Sequence, residues 1–202
     1  MKKISYNLRI GIVGNKNYHE EVFLDNIKDF AIAFNILSPY SDFFLIYKQI
    51  PIKVKIFSAE TLEEVINNFD EIEKLDVIIL TVNLADTNSI HQYFKDIVEE
   101  FNELYYFQGI SILVGIDIAQ IFKEKILNDI RVSRYSLKDM ASYLNLIYCY
   151  EIYNITRDVI EIYKKIFDDF VFRFSYSSPE SFEQAKIYGN SLLKETKKMN
   201  LL

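Results

Sequence analysis

Short, nearly continuous apolar runs alternate along the chain with longer stretches in which apolar residues recur every three or four positions. The first run, Leu8 to Val13, barely alternates, which predicts a strand covered on both faces. From His19 to Leu37, Val22, Phe23, Ile27, Phe30, Ala31 and Phe34 recur at helical spacing, and Pro39 follows as a stop signal. Asp42 to Gln49 and Ile52 to Phe57 flank Ile50-Pro51 and predict an antiparallel hairpin, in which Pro51 opens the second strand without having to donate a hydrogen bond. Leu62 to Leu75 reads as a charged amphipathic helix. Asp76 to Leu84 (DVIILTVNL) is the strongest strand, apolar enough to demand a central, covered position. Helical spacing returns over Asn88 to Phe107, and Gly109 to Ile116 (GISILVGI) forms another buried strand. Two helical stretches follow, Ala119 to Leu127 and Ser136 to Leu144, the second with Ser136 as N-cap and Asp139 completing a variant capping box. Leu146 to Tyr153 is the last strand and Thr156 to Phe172 the helix after it.

This alternation predicts an α/β fold, a mostly parallel sheet of six strands with helices on both faces. The hairpin places one antiparallel strand, Asp42 to Gln49, at an edge. Residues 1-174 form the domain and 175-202 a C-terminal helical extension. That extension opens on Ser177-Ser178-Pro179-Glu180, a cap followed by proline at the first helical position, and runs to about Lys198 with Gly189 as a weak point.

Composition narrows the function classes. Half of the 202 residues are hydrophobic and 26% charged, enough apolar content for a packed core and too much for disorder. The net charge of -6 argues against general nucleic-acid binding and against a polybasic membrane anchor. The single cysteine, Cys149, excludes an intrachain disulfide and a thiolate zinc site, and its apolar neighbours predict a buried core thiol. His19, Glu20 and Glu21 are adjacent on a predicted helix and point in different directions, and His91 stands apart, so no metal site is expected. Asp96, Glu99, Glu100 and Glu103 read as a solvated helix face. No apolar stretch reaches the length of a membrane span, the N-terminus lacks a signal pattern and the C-terminus lacks a prenylation cysteine. The expectation is an intracellular soluble protein, cytoplasmic or nuclear.

The residues IVGNKNYHEE carry the most informative pattern. Gly14 ends the first strand and precedes a helix, where a P-loop would sit. In the motif Gly-x-x-x-x-Gly-Lys-[Ser/Thr], the second glycine lets backbone approach phosphate, the lysine neutralises it and the hydroxyl holds magnesium. Counted from Gly14, those positions fall on His19, Glu20 and Glu21.

From Leu8 to Phe172 the chain resembles the Ras-like small GTPase superfamily. VKIFSAETLEE is similar to the strand and loop carrying Trp-Asp-Thr-Ala-Gly-Gln-Glu, with Ser58, Thr61 and Leu62 at the magnesium-side aspartate, switch glycine and water-positioning glutamine. ILVGIDIA occupies the guanine-recognition slot, where Asn-Lys-x-Asp becomes Ile116, Asp117, Ile118 and Ala119, and YCYEIYNIT takes the last base-contacting loop without its Ser-Ala-Lys. The resemblance implies a Ras-like P-loop-type fold, a degenerate member without catalysis and with no cofactor. A like charge about 4 Å from a phosphate costs about 4 kcal/mol at an effective dielectric of about 20, roughly three decades in affinity. Asp117 and Lys16 are the residues that a register slip would bring toward base and phosphate, the basis of the alternative, a divergent GTPase that still binds nucleotide as a switch. DVIILTVNLADTNSI, YYFQG and LIYCYEI further resemble the centromere protein M family, nucleotide-free GTPase mimics, which implies a protein-interaction scaffold or adaptor in a multi-subunit, kinetochore-like complex.

Candidate partner-binding residues follow from the predicted edge strand. An edge offers unpaired backbone groups, and Tyr40, Phe43, Phe44, Ile46 and Tyr47 supply more large apolar side chains than a one-sided strand needs. Tyr105, Tyr106, Phe107, Phe170, Phe172, Phe174 and Tyr176 are further aromatic candidates, read for the tail as packing against the C-terminal helix.

Overall fold

A computed structural model describes residues 3–37, 40–69, 75–85, 107–118, 121 and 134–199. It is an α/β structure built on one seven-stranded mixed sheet. The strands are β1 (Tyr6–Val13), β2 (Ala31–Leu37), β3 (Tyr40–Tyr47), β4 (Ile50–Ala59), β5 (Val77–Asn83), β6 (Ile110–Ile116) and β7 (Tyr148–Ile152), in the spatial order β2-β3-β4-β1-β5-β6-β7. β4, β1, β5, β6 and β7 run parallel, and β2 and β3 are antiparallel to their neighbours. The central strands are apolar on both faces because helices cover both; β6 is buried along its whole length.

On one face lie the helical segment after β1 and two long helices, α5 (Ile155–Ser177) and α6 (Pro179–Met199). The first segment comprises α1 (Lys16–His19), a π-helical turn over Glu20–Leu24, and α2 (Asp25–Lys28). A π turn leaves carbonyls without their usual partners, and the buried Asn26 amide donates to those of Val22 (2.8 Å) and Glu21 (3.2 Å). Ile162, Tyr163, Ile166 and Phe167 of α5 are fully buried in the core on this face, and Tyr163 donates its hydroxyl to the Phe23 carbonyl (3.1 Å). The opposite face carries α3 (Leu62–Asn68), capped by the Thr61 hydroxyl, and α4 (Arg134–Tyr143).

Several expectations are corrected. The sheet has seven strands, not six, because the predicted helix from His19 to Leu37 stops at Lys28 and its last third is β2. Asp42 to Tyr47 therefore lies within β3, paired with β2 on one side and β4 on the other, and is not an edge, while Lys48 and Gln49 form the hairpin turn and Ile50-Pro51 already belong to β4. Phe30, Ala31 and Phe34 continue the helical period by coincidence. Ile32, Phe34 and Ile36 also alternate with Ala33 and Asn35, and β3 supplies the ladder that makes the strand win. Ser136 sits inside α4, which begins at Arg134, so it is not the cap. Cys149 is half-buried, its thiol 3.9 Å from the Leu137 carbonyl. The predicted helix Asn88 to Phe107 lies outside the described residues except at Phe107, and Ala119 to Leu127 except at Ile121. His91, the acidic stripe, Tyr105 and Tyr106 also fall outside them.

The tail helix α6 packs into the same core as the domain: Ala185 is fully buried and Phe182 nearly so. Gly189 is the reason it fits. A Cβ there would lie 1.9 Å from the carbonyl oxygen of Gln49, at the tip of the β3–β4 hairpin. That tip is a two-residue turn with Lys48 (φ 47°) and Gln49 (φ 70°) both left-handed, the turn whose twist suits a hairpin. No helix among the described residues is long and apolar enough to cross a membrane.

Candidate functional site

The C-terminal ends of β1, β4 and β5 lie side by side, with Val13 beside Ala59 on one neighbour and beside Leu80 on the other. Chain-order crossovers leave such strand ends as the usual ligand position in open α/β sheets. Gly14 leaves β1 with φ 132°, its amide bound to the Ala59 carbonyl (3.0 Å). A side chain is excluded here twice, by that φ and because a Cβ would lie 2.1 Å from the Thr81 hydroxyl.

His19 then turns inward. Its imidazole is 1% exposed and spans Ser58 at the end of β4 and Thr81 in β5. Thr81 donates its one proton to the Val13 carbonyl (2.9 Å), so its oxygen must accept from His19 Nε2 (2.9 Å). In the neutral ring that leaves Nδ1 to accept from the Ser58 hydroxyl, with which it makes a close contact. The edge of Phe23 closes one side, ring centroids 6.2 Å apart. One residue from the helix thus bridges the tips of two strands 39 and 62 positions away.

A serine beside an imidazole invites comparison with a nucleophile and its base. The far nitrogen, however, meets a neutral hydroxyl whose proton is committed to backbone, not a carboxylate that would stabilise an imidazolium. The arrangement is suited to filling and tying together the strand ends. Glu20 and Glu21 are exposed on the π turn. Among the described residues no group of three or more His, Cys, Asp or Glu is placed to hold a metal.

At the end of β6, Ile116 and Ile118 are buried in the core, 2% and 3% exposed. Asp117 between them is also buried; its amide donates to the Ile152 carbonyl (3.3 Å) and its carbonyl accepts from Ile121 (2.9 Å). Ala119 lies outside the described residues, as does the side chain of Lys16.

The partner-binding candidates divide between the two faces of β3. Phe43 is core, 2% exposed. Tyr47 packs its ring on Phe167 (5.3 Å) and donates to Asp168 (2.8 Å). Burial and then this carboxylate push its hydroxyl up to about 12. On the other face Tyr40 stacks near Phe57 and Phe69, beneath the ammonium of Lys55 (4.4 Å), and donates to the Asn68 carbonyl. Phe44 and Ile46 are half-buried there. Phe44 borders a cavity of about 600 Å³ on the part of the sheet that α3 leaves uncovered, with Arg9, Asn35, Asp42, Lys53 and Lys55 also on its wall. Of the tail aromatics, Phe170 and Phe174 pack with Tyr6, whereas Phe172 and Tyr176 are 62% and 73% exposed with their rings 4.8 Å apart.

Sequence reasoning overlooked two features. The burial of His19 has no local signal, since its partners are distant in sequence. The strand at the edge of the sheet among the described residues, β2, had one in the alternation Ile32, Phe34, Ile36. No protein-family model and no curated protein sequence matches the chain.

Proposed function

We propose that this protein is a catalytically inactive, small-GTPase-like scaffold or adaptor, a domain that presents a fixed surface to protein partners. The observation that carries the reading is the buried His19 imidazole. It occupies the end of the sheet where the resemblance puts the phosphate-approaching glycine, and its ring bonds Ser58, the residue at the magnesium-side slot. A phosphate group entering there would have to expel an imidazole bound at both nitrogens. The aliphatic burial of Ile116 and Ile118, at the guanine-recognition slot, supports the same reading. A surface that no nucleotide can move is constitutively ordered, so partner capture should not depend on GTP.

The test is chemical. The purified protein is denatured and its supernatant chromatographed for guanine nucleotide, and the folded protein is titrated with a fluorescent GTP analogue and magnesium. Neither release nor saturable binding is expected. Co-purified GDP or GTP would replace this reading with the divergent-GTPase alternative.

A further inference from the structure

On the sheet face opposite α5, the cavity of about 600 Å³ beside Phe44 has a floor made of alternate residues of β1, β3 and β4. Its volume lies within the usual range of ligand sites, roughly 300–1,000 Å³. Lys53 and Lys55 stand on that floor. They are two residues apart on β4, so both point to this face while Ile52, Val54 and Ile56 go to the core. The pairing register sets Lys53 between Asn7 and Phe44, and Lys55 between Arg9 and Asp42. Asp42 is the one carboxylate among the described residues of the wall. No described carboxylate lies within ion-pair distance of either lysine. The Lys55 ammonium sits over the Tyr40 ring, 4.4 Å from its centroid. Arg9 adds a cation on the β1 side, with Asp76 beside it, whose carboxylate accepts from the Arg9 amide (2.7 Å).

We propose that this cavity is a docking site for an acidic, extended segment of a protein partner, whose alternate carboxylates sit on Lys53 and Lys55. This rests on the scaffold reading above and gives its partner a chemistry. Charge is the first reason. Lys53, Lys55 and Arg9 face one described carboxylate on the wall, in a chain whose net charge of -6 otherwise repels an acidic segment. Spacing is the second. Alternate residues of an extended chain recur every ~7 Å, so a peptide lying along β4 repeats at the same interval as Lys53 and Lys55. The backbone supplies the third. β4 pairs with β1 on one side and β3 on the other, so its N–H and C=O groups are committed to the two ladders. Phosphate sites draw on free backbone N–H groups at helix N-termini and nests, and the interior of a sheet has none to give. Recognition here falls to side chains alone, which suits carboxylates spread along a chain better than one compact anion. Phe44, beside Lys53, is half-buried, and its cross-strand neighbour on β2 is the small Ala33, also on the cavity wall. An aromatic ring next to so small a residue accommodates one apolar side chain of the partner at the end of its acidic run.

The experiment is isothermal titration calorimetry of the full chain, in ~0.15 M salt, with an end-blocked peptide made of a leucine followed by alternating glutamate and serine. The same peptide with glutamine for glutamate is the neutral control. Peptide up to ~2 mM brackets a dissociation constant of ~10–500 µM, the region that a few exposed charge pairs reach. Saturable one-to-one binding of the glutamate peptide alone is expected. Lys53→Glu with Lys55→Glu should weaken it roughly 10-fold or more, because two attractions become repulsions. Lys164→Glu with Lys194→Glu makes the same change of net charge at exposed positions on α5 and α6, and should move it less than about 2-fold. Circular dichroism checks that each variant folds. Lys53→Glu alone, at an exposed position, should weaken binding roughly 3-fold and keeps the test open if the double variant does not fold. No saturable heat from the wild-type chain, undiminished binding by the folded Lys53 variants, or equal binding of the glutamine peptide would each overturn the proposal. So would inorganic pyrophosphate binding with the same lysine dependence while the peptide does not bind, which would assign the cavity to a compact anion. None of these results bears on co-purified guanine nucleotide, so the scaffold reading stands or falls separately.

Discussion

Replacing Gly189 with alanine sets two effects of opposite sign against each other. In a helix interior, glycine is less favourable than alanine by about 0.8–1.0 kcal/mol, so propensity alone makes Gly189→Ala stabilising. The surroundings of Gly189 reverse the sign. An added Cβ would lie 1.9 Å from the Gln49 carbonyl oxygen, 2.8 Å from its carbon and 3.2 Å from Pro51 Cδ. The first two are backbone atoms, so no rotamer change relieves them. Either α6 or the hairpin tip must retreat by more than an ångström. The tip is held by its two left-handed residues, and α6 by the buried Phe182 and Ala185. Overpacking of this kind costs about 1–3 kcal/mol, and relief by undocking would expose apolar surface at ~25 cal/mol per Å². A 1.9 Å approach to a backbone atom puts the cost in the upper half of that range, and after the propensity gain is subtracted the net expectation is a loss of about 1–2 kcal/mol. For a chain of this length that is a fall in Tm of roughly 2–8 °C. The assay is thermal and urea denaturation followed by circular dichroism, with Asn190→Ala, which removes only an exposed 3.3 Å contact to the Gln49 side chain, as the neighbour control. A Gly189→Ala chain as stable as wild type, or more stable, would refute the docking of α6 on the hairpin.

Three further outcomes are expected. His19→Ala should destabilise the fold by about 2–4 kcal/mol in urea titration, through the vacated space and the unpartnered Thr81 oxygen, and should not bring GTP binding with it. On the proposed small-GTPase-like reading, the combined change His19→Gly, Glu20→Lys and Glu21→Ser should also give no sub-micromolar binding of GTP by calorimetry, because Ile116 and Ile118, at the slot which that reading assigns to guanine, remain buried. Tyr47 has a folded pKa of about 12, above its ordinary value, so its contribution to stability is complete below pH ~10 and lost as pH rises through about 12. Denaturation midpoints between pH ~10 and ~12 should fall more steeply for wild type than for Tyr47→Phe, and parallel slopes would show that the Asp168 contact does not persist.

Much of the scaffold is written in the chain itself. The apolar runs at Leu8 to Val13, Asp76 to Leu84 and Gly109 to Ile116 are uninterrupted because both faces of a parallel sheet are covered, and all three are central strands. The hairpin is legible from its alternation and its Pro51, and the tail helix from Ser178-Pro179. These signals are local: each depends on residues within a turn or two of one another.

The tertiary structure alone decided the rest. Residues 31 to 37 satisfy a helical period and a strand period at once. Only the backbone groups of β3, offered at the right spacing, settle the segment as a strand and so move the edge of the sheet from Asp42–Gln49 to Ala31–Leu37. Gly189 reads locally as a flaw in a helix. It becomes a requirement once the Gln49 carbonyl lies against it. His19 reads as an exposed polar residue until Ser58 and Thr81, from two other strands, meet its two nitrogens and bury it. Hydrophobic period is a property of neighbours in sequence, whereas burial of a polar ring requires partners that only folding brings together.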